Sequence, residues 1–155
     1  MSPKVKLEDI LEGMELQSEE STTLCNLKTG EIVNVLNEFL WKAEGEVDFG
    51  GLPDWQQEQM KLAYDILEHE ENYTELPTDF DIHEYSMIED FCYTVKDPKA
   101  QEILLKAIHG KGAFRRFKEN AFNLELEQDW YSYRDACYKQ IAIEFCERNN
   151  MEYVE

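Results

Sequence analysis

Residues 108–148 read IHGKGAFRRFKENAFNLELEQDWYSYRDACYKQIAIEFCER, and this stretch decides the fold class. From about Gln128 onward, Trp130, Tyr133, Arg134, Cys137, Ile141 and Phe145 recur at the spacing of one helical stripe. Ala136, Ala142 and Ile143 widen its apolar side, while Asp135, Lys139, Glu144 and Glu147 fall elsewhere. Asn149-Asn150 supplies a stop, because Asn tolerates the left-handed conformation in which helices end. Arg134 is the odd member of the stripe. A buried guanidinium without a partner is costly, so it must either extend to water along its apolar stem or meet an acid.

Upstream, Gly110-Lys111-Gly112 breaks one helix and Ala113 begins the next. In that second helix Phe114, Phe117 and Ala121 are expected to share the inward face, with Phe122 nearby, while Arg115 and Arg116 point away. Two readings of the joint stand side by side. Open N–H groups at a helix start beside Lys111 suit an anion; alternatively this is a flexible joint followed by a solvated basic face. Tyr131 and Tyr138 lie off the centre of the long stripe, and exposed tyrosines near arginines suit protein interfaces or stacking on single-stranded bases. The candidate binding residues are therefore Lys111, Gly112, Arg115, Arg116, Lys118 and Tyr131.

Gly110-Lys111-Gly112-Ala113-Phe114-Arg115-Arg116-Phe117, then Asp129-Trp130-Tyr131-Ser132-Tyr133-Arg134-Asp135, then Asn149-Asn150-Met151-Glu152, together resemble uncharacterised protein family 0158. Met87-Ile88-Glu89-Asp90-Phe91 matches an earlier helical motif of that family. The resemblance spans most of the chain and is specific from about Met87 to Asn150. It implies an N-terminal helix, a short pair of strands and then helices, with no activity to carry over. Phe145-Cys146 departs from the family's usual Trp and aliphatic pair, which implies a change of packing.

The chain has 155 residues, enough for one domain, with residues 1–52 as a helix-plus-hairpin subregion and 53–155 as a helical one. Its hydrophobic fraction of 43% is that of a globular protein, which excludes global disorder. The formal charge of −19 is unusual and uneven: residues 1–100 carry 24 acidic and 7 basic side chains, the remainder 10 and 8. Such a surface repels nucleic acid and suits a basic protein partner. No run approaches the roughly 18 apolar residues of a membrane span, and MSPKVKLEDILEG has no secretory core. Cys25, Cys92, Cys137 and Cys146 show no Cys-x-x-Cys pairing and read as reduced thiols of a cytoplasmic protein.

Along the rest of the chain, Leu7, Ile10, Leu11 and Met14 predict a short opening helix. Residues 21–27 and 31–36 are β-prone runs around Lys28-Thr29-Gly30, a hairpin signal. Residues 37–43 fit either a strand extension or a helix. A helix is expected from Pro53 to about residue 71, an irregular connector over 72–81, and a helix over 82–95 with Asp81 as its cap. Asp97-Pro98 opens a further helix to Ile108. The fold class is α+β, mostly helical, with five to six helices around a small N-terminal hairpin. Trp130, Cys137, Ile141, Phe114, Phe117, Phe91 and Ile88 are expected in one core.

His69, His83 and His109 show no metal-ligand spacing, and Asp79-Phe80-Asp81 begins like a calcium loop but lacks its glycine and terminal glutamate. No nucleophile elbow, phosphate loop or dinucleotide fingerprint occurs, so no cofactor is implied. For Arg134 the expected partner is Glu89 first and Asp90 second, on the helix that carries Ile88 and Phe91. The functional expectation is a protein-binding or regulatory module with an acidic surface. Alternatives are a nucleic-acid-associated protein using the Lys111–Lys118 patch and an acidic mimic of DNA; catalysis ranks last.

Overall fold

The computed structural model describes residues 4–78 and 81–155. Asp79 and Phe80, the start of the calcium-loop-like tripeptide, lie outside the described residues. Apolar positions at three- and four-residue spacing dominate the sequence, and helices are the structure that buries such stripes while pairing the main chain locally. In chain order the elements are β1 (Lys4–Lys6), α1 (Leu7–Glu15), β2 (Ser21–Asn26), β3 (Ile32–Leu36), α2 (Asn37–Glu44), α3 (Asp54–Glu68), β4 (Tyr73–Glu75), α4 (Glu84–Thr94), α5 (Pro98–Ala107), α6 (Ala113–Asn123), α7 (Glu127–Arg148) and β5 (Glu152–Val154). The chain is α+β and mostly helical, with seven α-helices among the described residues against the five to six expected. It divides into two compact units, residues 1–78 with 142–155 and residues 79–141.

In the first unit β2 is the central strand of an antiparallel sheet ordered β3-β2-β4. Ser21 faces Leu36 and Cys25 faces Ile32, with Lys28-Thr29-Gly30 turning the chain between the two strands. Asn26 Oδ1 accepts from the main-chain N–H of Lys28 at 2.9 Å, which is how an Asx side chain organises such a turn. The expected pair of strands is thus part of a three-stranded sheet. A separate two-stranded sheet pairs β1 with β5 in parallel, Lys4 opposite Glu152. Leu24 and Val35 of the larger sheet, Phe39 and Ala43 of α2, and Met60, Ala63 and Ile66 of α3 form one core.

The segment left open between strand and helix is helical, and a hydrogen-bond pair explains where the change occurs. Gln59 of α3 accepts from the N–H of Leu36 at 2.9 Å and donates to the carbonyl of Asn34 at 3.3 Å. That ends the outer edge of β3, after which Phe39 and Ala43 recur at four-residue spacing on the buried side.

In the second unit Ile88, Phe91, Cys92, Leu104, Ile108, Ala113, Phe117, Ala121 and Trp130 are buried together. Its centre is aromatic: Phe117 meets Trp130 edge-on at 5.1 Å, and Phe91 meets Trp130 at 5.5 Å and Phe117 at 6.0 Å. Such contacts add roughly 0.5–1.5 kcal/mol each beyond the area they bury. Of the residues expected in one core, Trp130, Phe117, Phe91 and Ile88 are buried, Cys137 and Ile141 are half-buried, and Phe114 is exposed. The inward line of α6 runs through Ala113, Phe117 and Ala121, which leaves Phe114 at its margin. The stripe read along α7 is covered over its length: Trp130 and Phe145 are buried, and Tyr133, Arg134, Cys137 and Ile141 are half-buried. The buried residues of the helix are Trp130 early and Ala142, Phe145 and Cys146 late. At about 100° per residue Phe145 lies roughly 60° from Trp130 and stays on its stripe, whereas Ala142 and Cys146 lie roughly 120° and 160° away, so the buried side widens near the end of α7.

Candidate functional site

The segment from Ile108 to Lys118 is a built joint. Helix α5 ends at Ala107, and a helix end leaves carbonyls without intrahelical donors. Arg116 of α6 supplies a donor to Ala107, the last residue of α5, and two more to carbonyls of the connection that follows. Its Nε donates to the carbonyl of Ala107 at 2.9 Å, one terminal nitrogen donates to that of Lys111, and the other to that of His109. Tyr85 of α4 donates its hydroxyl hydrogen to the intervening carbonyl of Ile108 at 3.1 Å. Gly110 and Gly112 both take positive φ, 78° and 77°, which is what lets two helices meet across so short a connection. At Gly112 a side chain would also collide with the clamp, since an added Cβ would lie 3.0 Å from an Arg116 terminal nitrogen.

The pairing of Arg115 and Arg116 as two equivalent outward arginines is therefore corrected. Arg116 is half-buried and bound to the main chain, whereas Arg115, Lys111 and Lys118 are exposed. Phe114, Lys118 and Phe122 follow one another at four-residue steps, so they stack along one side of α6. Phe114 is 45% and Phe122 66% exposed, against complete burial of Phe117. Their exposure is what the sequence reading missed at this site. The available signal was that Phe122 follows Ala121 directly and so cannot share its direction.

Charge placement on α6 runs against local stability. A helix start favours acids and disfavours cations. Yet the first turn of α6 holds no acid, in a chain with 34 acidic and 15 basic residues, and it carries Arg115 with Lys111 just before it. Tyr131, on α7, does not join the basic row. It lines an open groove with Phe122, Asn123, Glu125, Glu127 and Gln128. The groove exists because Glu125 takes φ of 59° and Leu126 donates back to the carbonyl of Ala121 at 2.8 Å, a left-handed helix stop made without glycine.

Arg134 meets Glu84 rather than Glu89 or Asp90: its Nε donates to Glu84 Oε1 at 3.0 Å. Its guanidinium also lies over the Tyr138 ring, 4.3 Å from the centroid. Both partners of the ion pair are partly covered, with side chains 28% and 35% exposed. The reason lies in α4, where Glu84, Ile88 and Cys92 are spaced by four and so continue one line, whereas Glu89 and Asp90 are exposed.

The thiols are free, with Cys25, Cys92 and Cys146 buried and Cys137 half-buried. Burial pushes Cys25 and Cys92 up to about 11 from an ordinary 9.0, with the neighbouring Cys146 adding to the shift at Cys25. Among the described residues, no three His, Cys, Asp or Glu side chains converge as a metal-holding group. No helix there is long and apolar enough to cross a membrane.

The model of uncharacterised protein family UPF0158 matches residues 7–155, and the chain belongs to that family. Among curated relatives, the UPF0158 protein PA5073 of Pseudomonas aeruginosa is 30% identical over 67 residues. That match covers 43% of this chain and 44% of the relative, so the chain spans less than half the length of the curated relative it matches. No solved structure is significantly similar.

Proposed function

We propose that the chain is a cytoplasmic protein-binding or regulatory module that engages a partner through the exposed side of α6. The observation that carries this reading is the row Phe114, Lys118, Phe122 with Arg115 beside it: two exposed phenylalanines interleaved with cations on a helix whose other side is buried. Exposed aromatic side chains give a partner apolar area at little entropic cost, and arginine beside them adds hydrogen-bond donors; both residue types are enriched at interfaces. The cations select an acidic segment as the occupant. The free thiols fit a reducing compartment.

A second reading, single-stranded nucleic acid on the same row, draws on the same interleaving of aromatics with bases. The net charge of −19 opposes it, because phosphate binding depends on neutralisation. An acidic mimic of DNA would use the remaining, acid-rich surface instead.

The test is a pull-down from the native host at low and moderate salt, comparing the wild-type chain with a Phe122→Ser, Lys118→Glu variant. A protein retained by the wild type and lost from the variant supports the reading. Retention unaffected by the variant refutes it, and capture abolished by nuclease transfers the row to nucleic acid.

A further inference from the structure

A second surface, independent of α6, lies in the first unit. Glu19, Glu20, Leu36, Asn37, Glu38 and Trp41 line a cleft of about 250 Å³. Trp41 is 68% exposed, although its neighbours on α2, Phe39 and Ala43, are buried. The walls are held in place. Asn37 donates its main-chain N–H to the carbonyl of Glu20 at 2.8 Å and its side-chain amide to the carbonyl of Glu19 at 3.1 Å. Its Oδ1 accepts from the Thr22 hydroxyl at 2.6 Å. The loop bearing Glu19 and Glu20 is thus tied to the start of α2, which presents Glu38 and Trp41.

Helix stability accounts for Glu38, an acid in a first turn. It does not account for an indole left in water, nor for its setting. None of Glu19, Glu20 and Glu38 forms an ion pair among the described residues. The adjacent cation, Lys42, lies over the Phe39 ring at 5.2 Å from its centroid.

We propose that this cleft receives an arginine or lysine side chain from a basic, extended segment of a partner protein. An apolar floor of indole and leucine takes the aliphatic stem, the ring face attracts the cation, and the carboxylates accept its hydrogen bonds. Arginine fits best, because its planar guanidinium stacks on an indole while donating to carboxylates at its edge. The volume admits a side chain rather than a folded surface, and the sign of the charge selects the partner.

The measurement is a titration of the nitrogen-15-labelled full chain with a blocked peptide of alternating glycine and arginine, following the Trp41 indole N–H signal, assigned with Trp41→Phe. The expected result is a saturable shift that a glycine–glutamate peptide does not produce. Trp41→Ala, followed through the signals of residues 36–38, weakens binding on the order of fivefold. Glu20→Gln with Glu38→Gln weakens it comparably and is isosteric, so folding is not at issue. Because a chain of this charge attracts any polycation, the deciding control is Glu68→Gln with Glu70→Gln, which removes the same charge at exposed positions outside the cleft. Equal weakening by both double variants overturns the proposal. So does saturation of the Trp41 shift by tetramethylammonium at concentrations no higher than the peptide requires, which would make the cleft a site for small organic cations.

Discussion

Replacing Arg116 with alanine removes donors from the carbonyls of Ala107, His109 and Lys111 at once. A net intramolecular hydrogen bond is worth about 1 kcal/mol. The positive charge raises that figure, and the half-exposed position, which lets water replace the lost donors, lowers it. The sum is a loss of about 3 kcal/mol. For a chain of this size, 1 kcal/mol moves the melting midpoint by roughly 2–4 °C, so Arg116→Ala should melt about 6–12 °C lower. Arg115→Ala, exposed and one residue away, should stay within about 0.5 kcal/mol of the wild type. Arg116→Lys keeps the charge but only one donor group and should fall between. Urea unfolding followed by circular dichroism, with differential scanning calorimetry, measures all three. If Arg116→Ala and Arg115→Ala are equally stable, the joint is not held by the clamp, and Arg116 returns to the candidate anion ligands.

Gly112→Ala should cost more than Gly110→Ala in the same urea assay. Both take positive φ, worth about 1–2 kcal/mol against a Cβ, but only Gly112 also meets the Arg116 guanidinium, and nothing lies within 4 Å at Gly110. A double-mutant cycle of Arg134→Met and Glu84→Gln should give a coupling of about 1 kcal/mol, reduced from a buried pair's value by partial exposure, while cycles with Glu89→Gln or Asp90→Gln should give none. Stability should fall as pH rises from 9 to about 11: Cys25 and Cys92 remain neutral in the folded chain to about 11, whereas unfolded thiols ionise from 9.0, so ionisation favours unfolding. Urea midpoints at pH 8, 10 and 11 check this, and Cys92→Ala should flatten the slope.

Local chemistry was readable without coordinates wherever a residue type forces the backbone. Asp97-Pro98 starts α5, with the Asp97 carboxylate accepting from Lys99 N–H at 3.0 Å, because Pro lacks a donor and Asp supplies an acceptor. The Gly110 and Gly112 break, the Lys28–Gly30 turn and the helix through Trp130 are legible for the same reason. Docking decides the rest. The parallel pairing of Lys4–Lys6 with Glu152–Val154 joins the ends of the chain, and neither segment carries a local mark of a partner so distant in sequence. The acid that Arg134 meets depends on which line of α4 turns inward, and α4 begins at Glu84 rather than at residue 82. The role of Arg116 depends on carbonyls left open at the end of α5 and in the connection after it, and every residue carries the same carbonyl. Composition could therefore name the arginines of this joint, but only the tertiary structure could say that Arg116 turns inward to close it while Arg115 stays in water.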